Sequence, residues 1–315
     1  MLVTKHSLNI SNLDTSNYIP VIFAADDKYA MPLAVTACSI FANLDSNTKL
    51  RIFIIDGGIT EVNKQKIANS LDPQRCDIRW LSLPKKLPQG MKISGHISTA
   101  AYYRLLIPEL LPDNYEKIIY LDCDLLLNRD IKQLWDIDIA DNYILAVQEI
   151  RFPCINSGLV NYKQLNIPGD WKYFNSGVLV INLKKWRSEN ITQKAIQYLE
   201  QHQEDIRFHD QDALNAILAG NWGELDPRWN QTPFIYEYKS WRESPFTEES
   251  FKNILNEPWI IHFASSFKPW NFYQHIHKRL FYRYLDMTAW KGWRYTFWMA
   301  LYKKMMRILL KNDKR

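Results

Sequence analysis

The sequence predicts one α/β domain over residues 18–277, preceded by a polar arm (1–17) and followed by a helical tail rich in basic and aromatic residues (278–315). Two observations predict the domain. Short apolar runs alternate with segments of helical spacing, the order that builds a parallel sheet with helices on both faces. The turns after such runs carry Asp26, Asp56, Asp122 and Asp124, and in such sheets ligands gather beyond the carboxyl ends of the strands. A third observation predicts the tail. From Lys278 to Arg315 there are eleven Lys or Arg against Asp286 and Asp313, so the other 277 residues are mildly acidic despite the overall charge of +5.

Taken in order, Tyr18–Ala24 (YIPVIFA) reads as a buried strand stopping at Asp26-Asp27. Met31–Asn43 follows, with Pro at its second position and Leu33, Thr36, Ala37, Ile40 and Phe41 at helical spacing. Arg51–Ile55 is a second strand, Glu61–Leu71 a surface helix and Asp77–Leu83 a third strand. Ser98–Leu106 is expected to be a helix opened by Ser98, with Pro108 and Pro112 closing the region. Ile118–Leu121 is a buried strand running into Asp122-Cys123-Asp124, and Tyr143–Val147 is another apolar run. Phe174-Asn175-Ser176-Gly177 is readable as a turn before a strand over Val178–Asn182. Thr192–Gln203 and Asp210–Ala219 have helical spacing, Thr192 being a cap candidate, and Trp259–Phe263 is the last strand.

Composition excludes several classes. With only 10 Gly there is no GxGxxG or GxxxxGK[ST] loop. Cys38, Cys76, Cys123 and Cys154 form no CxxC pair, and three sit in apolar runs, which favours a reducing compartment over a disulfide framework. The first residues show no basic-then-apolar leader, and no uninterrupted apolar run is long enough to span a bilayer. The acidic balance of the domain argues against nucleic acid as a partner.

The chemistry starts at Asp122 and Asp124. Two carboxylates one residue apart at the end of a buried strand repel each other unless a cation neutralises them. Oxygen ligands of this kind suit Mg²⁺ or Mn²⁺. The pattern alone is weak, because Asp136-Ile137-Asp138 and Asp210-Gln211-Asp212 repeat it. His262 lies in the apolar stretch Ile260–Phe263, where a satisfied core histidine and a metal ligand are both tenable. Lys268, six residues on and followed by Pro269, is a candidate phosphate partner. Asp210-Gln211-Asp212 also fits a helix start with favourable dipole charges.

Together these stretches resemble glycosyltransferase family 8, and within it the retaining α-galactosyl- and α-glucosyltransferases of bacterial lipopolysaccharide and lipooligosaccharide. The resemblance rests on Phe23–Ala30 (FAADDKYA), Tyr102–Leu105 (YYRL), Tyr120–Asp124 (YLDCD) and Tyr173–Arg187 (YFNSGVLVINLKKWR). It continues through His209–Asn215 (HDQDALN) and His262–Trp270 (HFASSFKPW). It implies a Rossmann-like, nucleotide-sugar-binding domain of the GT-A type. It further implies a uridine pocket at Ala24, Ala25, Asp26 and Tyr29, with Lys28 standing where Asn is frequent. Arg104 would contact the donor, Asp122, Asp124 and His262 would ligate Mn²⁺ (or Mg²⁺), and Lys268 would hold the departing diphosphate. Asn175, Asp210 and Gln211 would surround the donor sugar, with Gln211 near the reacting carbon. Ser265 stands on the donor side where Gly is common. His96, Phe208 and Ala264 fall in stretches that help bind acceptor, although their neighbours differ.

The implied reaction is transfer of galactose or glucose from a UDP-sugar to a saccharide, with retention by front-face attack because a glutamine amide is a poor nucleophile. In a helical projection of Trp293–Lys311, Thr296, Lys303, Lys304, Arg307 and Lys311 gather opposite Phe297, Leu301, Met305, Ile308 and Leu309. Such a helix lies on an anionic membrane surface or docks on the domain. The expectation is a cytoplasmic enzyme attached peripherally to the inner face of the membrane. A glucan-priming or protein-directed transferase and a silent UDP-sugar binder are the rival readings.

Overall fold

The computed structural model describes residues 17–83 and 99–312. The expected arm therefore lies outside the described residues apart from Asn17, as do Ser98 and His96. The chain begins with β1 (Ile19–Ala25), α1 (Ala30–Asn43), β2 (Leu50–Asp56), α2 (Glu61–Asn69) and β3 (Cys76–Ser82). A 3-10 segment, Thr99–Leu106, leads into α3 (Ile107–Leu110). Next come β4 (Lys117–Leu121), β5 (Leu125–Leu127), α4 (Ile131–Trp135), β6 (Ile144–Gln148), α5 (Ile155–Gly158) and β7 (Phe174–Asn182). The chain continues through α6 (Leu183–Ser188), α7 (Ile191–Gln201), α8 (Asp210–Leu218), β8 (Gly223–Glu224), α9 (Glu248–Asn256) and β9 (Ile260–His262). Two helices close it, α10 (Lys278–Leu285) and α11 (Phe297–Asn312).

Seven strands form the main sheet in the order β3-β2-β1-β4-β7-β6-β8, and β5 and β9 form a separate pair. The half built from β3, β2, β1 and β4 is parallel, as the sequence predicts. The other half is not: β7 runs antiparallel to both β4 and β6. The result is a mixed α/β sheet. Its central strands are covered on both faces, which is why they read as unbroken apolar runs. Val21, Phe23, Ile119, Leu121, Val178 and Val180 point into one core. Their neighbours Ile22, Ala24, Ile118, Tyr120, Leu179 and Ile181 point into the other.

Three local expectations change. The stretch ending at Leu106 is 3-10 rather than α, and Pro108 sits inside α3 instead of closing the region. Thr192 does not cap α7. Asn190 holds that position with φ 54°, while the Thr192 hydroxyl donates to Leu105 O at 2.7 Å. Phe174–Gly177 is not a turn but the first part of β7, where the register against β6 shifts between Ala146 and Val147.

Polar groups on α1 hold the segment after β4 in place. Thr36 Oγ1 lies 2.9 Å from the carbonyls of both Cys123 and Leu125 and accepts the Leu125 N–H, and Ser39 Oγ accepts the Leu127 N–H. β9 then pairs antiparallel with β5, setting His262 opposite Leu125. α10 buries Phe281, Tyr282, Tyr284 and Leu285 in a cluster with Val35, Leu126, Ile261 and Phe263. All four cysteines are free thiols. Among the described residues, no helix is long and apolar enough to cross a membrane.

Candidate active site

A cleft of about 1600 Å³ opens at the carboxyl ends of β1 and β4. Ala24, Ala25, Asp26 and Tyr29 line one end. Asp26 caps the turn that follows, accepting the Tyr29 N–H at 3.1 Å. Asp56, at the end of β2, does not reach the cleft. It accepts the N–H groups of Gly58 and Ile59 and pairs with Lys64 at 2.8 Å.

The three Asp-x-Asp triplets separate by what their carboxylates touch. Asp136 pairs with Lys132 on the surface and Asp138 accepts the Ala140 N–H, so that triplet shapes a turn. Asp212 accepts the backbone N–H groups of Arg207 and Phe208 at 2.6 and 2.7 Å, holding the entry to α8. Asp210, Asp122 and Asp124 face the cleft. The Asp122 N–H donates to Gly177 O at 2.8 Å, and the Asp124 carbonyl accepts the Phe263 N–H at 2.9 Å. Strands β7 and β9 thus fix the two ends of this triplet.

Asp122, Asp124 and His262 each offer one atom, all within 4.8 Å of one another. His262 Nε2 stands 3.6 Å from Asp122 Oδ2 and 3.4 Å from Asp124 Oδ1. His262 is 5% exposed and Asp124 7%, so water screens these two little, while Asp122 is half-buried at the cleft. Two carboxylate oxygens and an imidazole nitrogen form a donor set that fits Mn²⁺ or Mg²⁺. Gly177 leaves the necessary room: a Cβ there would run into His262 Cε1 and come within 2.8 Å of Asp122 Oδ2.

Two cations brace the carboxylates. Lys268 Nζ pairs with Asp124 Oδ2 and donates to the Phe263 carbonyl. Burial works to raise the Asp124 carboxyl, but Lys268 and His262 outweigh it and hold it below the usual range. Arg104, 5% exposed, spans the site. Its Nη2 bonds Asp122 Oδ1 at 2.9 Å, its Nε pairs with Asp210 Oδ2 at 3.0 Å, and its Nη1 donates to Ser176. Burial pushes the Asp210 carboxyl up to about 6 against the pull of Arg104, with Asp122 adding to the rise.

Gln211 Oε1 accepts the Ser176 N–H at 3.0 Å. Asn175 Nδ2 donates to Glu149 Oε2 at 2.6 Å. Phe208, Ala264, Ser265, Asn175 and Gln211 all line the same cleft, so the described candidates from the sequence are brought together with the exception of Asp56.

Sequence reasoning missed several residues. Tyr120 donates to Asp122 Oδ1 at 2.7 Å, and Glu149, 4% exposed, lines the wall beside Arg151 and Phe152. Glu149 follows the apolar β6 just as Asp122 follows β4, a signal that was open to notice. Asn230, buried behind His262, carried none.

The family model described as Glycosyl transferase family 8 matches residues 20–274, from β1 through the loop that bears Lys268. The chain belongs to glycosyltransferase family 8. General stress protein A of Bacillus subtilis is 34% identical over 274 residues, covering 86% of this chain and 94% of its own. Lipopolysaccharide 1,2-glucosyltransferase of Escherichia coli K12 is 27% identical over 85% of this chain and 78% of its own. Among solved structures, galactosyltransferase LgtC in complex with donor and acceptor sugar analogs superposes with a TM-score of 0.73 at 28% identity. That match covers 89% of this chain and 99% of LgtC. The fold is therefore GT-A, and the family 8 chain is a glycosyltransferase; its helical, basic and aromatic tail extends past the matched residues.

Proposed function

We propose that the protein is a metal-dependent, retaining hexosyltransferase that moves galactose or glucose from a UDP-sugar to a saccharide acceptor of the lipopolysaccharide or lipooligosaccharide core. The observation that carries this reading is the convergence of Asp122, Asp124 and His262 with Lys268 on one wall of the cleft. The names of the E. coli relative and of LgtC support the hexose and the acceptor class.

In this reading Ala24, Ala25, Asp26 and Tyr29 receive the uridine, and Asp122, Asp124 and His262 hold Mn²⁺ or Mg²⁺. The ion, when bound, supplies positive charge against the diphosphate as the sugar–phosphate bond breaks. Lys268 does the same from the protein side, a fixed cation where negative charge grows. Arg104 keeps Asp122 and Asp210 apart from each other and in place. Gln211 acts through its amide on the sugar. Its oxygen accepts the Ser176 N–H, which draws electron density from an already weak nucleophile and supports front-face attack by the acceptor over attack by Gln211. A covalent glycosyl adduct on Gln211 or Asp210 would overturn that part. Phe208 and Ala264 form the acceptor side.

Release of UDP from UDP-galactose and UDP-glucose, followed with and without Mn²⁺, tests the whole reading. Metal-dependent release lost in Asp124→Ala is expected, and release unaffected by chelation would overturn it.

The tail belongs to the same proposal. α11 exposes Phe297, Trp298, Leu301, Tyr302 and Met305, and Tyr295, Phe297 and Ala300 border the cleft. With the basic residues of 278–315 these groups suit adsorption to the inner, anionic face of the cell membrane, at about 1 kcal/mol per basic residue near the surface. Deleting 297–315 should abolish sedimentation with anionic vesicles, and unchanged sedimentation would sink the membrane role.

A further inference from the structure

Asn230 closes a 3-10 turn, Pro227–Asn230, and is 1% exposed. The next residue ties this turn to β9, since the Gln231 N–H donates to Ile260 O and Gln231 O accepts the His262 N–H. We infer that Asn230 is a positioning residue: it fixes the tautomer of His262 for metal binding and links that ligand to the sugar pocket through Asn175. The inference rests on the metal-dependent reading above.

A backbone N–H, which cannot be reversed, orients the whole relay. The Gly177 N–H donates to Asn175 Oδ1 at 2.9 Å, which orients that amide. Its other end, Nδ2, then donates to the Glu149 carboxylate. Asn175 Oδ1 is an acceptor only, so the group facing it 2.8 Å away must be the Asn230 Nδ2 donor. Asn230 Oδ1 is thereby turned to His262 Nδ1 at 2.9 Å. An acceptor there requires the proton on Nδ1 and leaves the Nε2 lone pair facing Asp122 and Asp124. Reversing Asn230 would set oxygen against the Asn175 oxygen. Reversing Asn175 would lose Gly177 and oppose an oxygen to Glu149. One backbone N–H therefore decides which nitrogen of His262 is free to bind a cation. Partners of this kind behind a metal-binding histidine are worth about 10- to 100-fold in metal affinity.

The test is a titration of the full chain with Mn²⁺ in the presence of UDP, following the free-ion EPR signal, for wild type, N230A and N230D. N230A should bind Mn²⁺ about 10- to 100-fold more weakly. N230D still offers an acceptor to Nδ1 but opposes its second oxygen to Asn175. It should hold Mn²⁺ within about threefold of wild type while losing kcat for transfer. Equal binding by wild type and N230A overturns the inference alone. Equal loss by N230A and N230D, with equally lowered thermal midpoints, overturns it in favour of a general structural role. Absence of Mn²⁺ binding by the wild type removes the metal reading and this inference together. If N230A does not fold, the imidazole ¹⁵N spectrum of the wild type decides, because an unprotonated Nδ1 on His262 refutes the relay.

Discussion

Replacing Asp210 by asparagine should shift stability in a pH-dependent way that the geometry prescribes. The carboxyl is 3% exposed. Burial raises it to about 6 from 3.8, with Asp122 adding to the rise and Arg104 and Ser176 opposing it. Between those two values the folded protein keeps a proton that the unfolded chain has released. Stability therefore falls as pH rises through the window and levels off above about 6. The cost of ionising this group is about 3 kcal/mol at pH 8 and roughly half of that at pH 5. An asparagine carries no such cost, keeps the shape, and can still accept from Ser176 Oγ and Arg104 Nε. Urea unfolding of metal-free wild type and D210N over this range is the assay, and titrating groups remote from Asp210 cancel in the difference. The difference should move in favour of D210N by about 1.5 kcal/mol from pH 5 to pH 8. Parallel pH curves for the two proteins would refute the reasoning. On the proposed reading, transfer by D210N should fall on the order of a hundredfold, because the charge that braces Arg104 is gone.

Gly177→Ala should abolish Mn²⁺ binding without unfolding the protein, since the added methyl meets the polar side chains of His262, Asp122 and Asn175 rather than the apolar core; an alanine variant that titrates like wild type would show the cluster is not the metal site. Lys268→Ala should act in opposite directions on binding and rate. Without nucleotide it should bind Mn²⁺ about tenfold tighter, because Lys268 no longer competes at Asp124. Its kcat for transfer should nevertheless fall by about 10²- to 10³-fold. Weaker Mn²⁺ binding in this variant would show that Lys268 supports the metal ligands instead of competing with the ion.

In the parallel half β1, β2 and β4 were legible because they are buried on both faces and so read as apolar runs, and the half-buried edge strand β3 was legible by its alternation. β1 is buried at every position and stops where Asp26 begins the next turn. The antiparallel half was not legible. Nothing local to β7 says which way it runs, since its pairing with β4 joins Ile118 to Ile181, residues that only the finished fold brings together. Asp122, Asp124, His262 and Lys268 were legible for a chemical reason, whereas the other described candidates came from the family resemblance alone. Two carboxylates, a histidine and a lysine close to the ends of apolar strands suit a cation and a phosphate together, and the structure gathers these four in one cleft.

What escaped the sequence has a single physical cause. Local rules take polar residues to be exposed, so Asn175, Ser176 and Gly177 looked like a turn, although all three are buried inside β7. They are polar or small because they face the carboxylates, through the Gly177 carbonyl that accepts the Asp122 N–H and the Ser176 groups that receive Arg104. Asn230 was missed by the same logic. Its partners are Asn175 and His262, which lie 55 residues before it and 32 after it. A buried polar group is stable only when fully bonded, and here the bonds come from strands that the sequence keeps far apart. The feature that hid these residues from a local reading is therefore the one that lets them position the site.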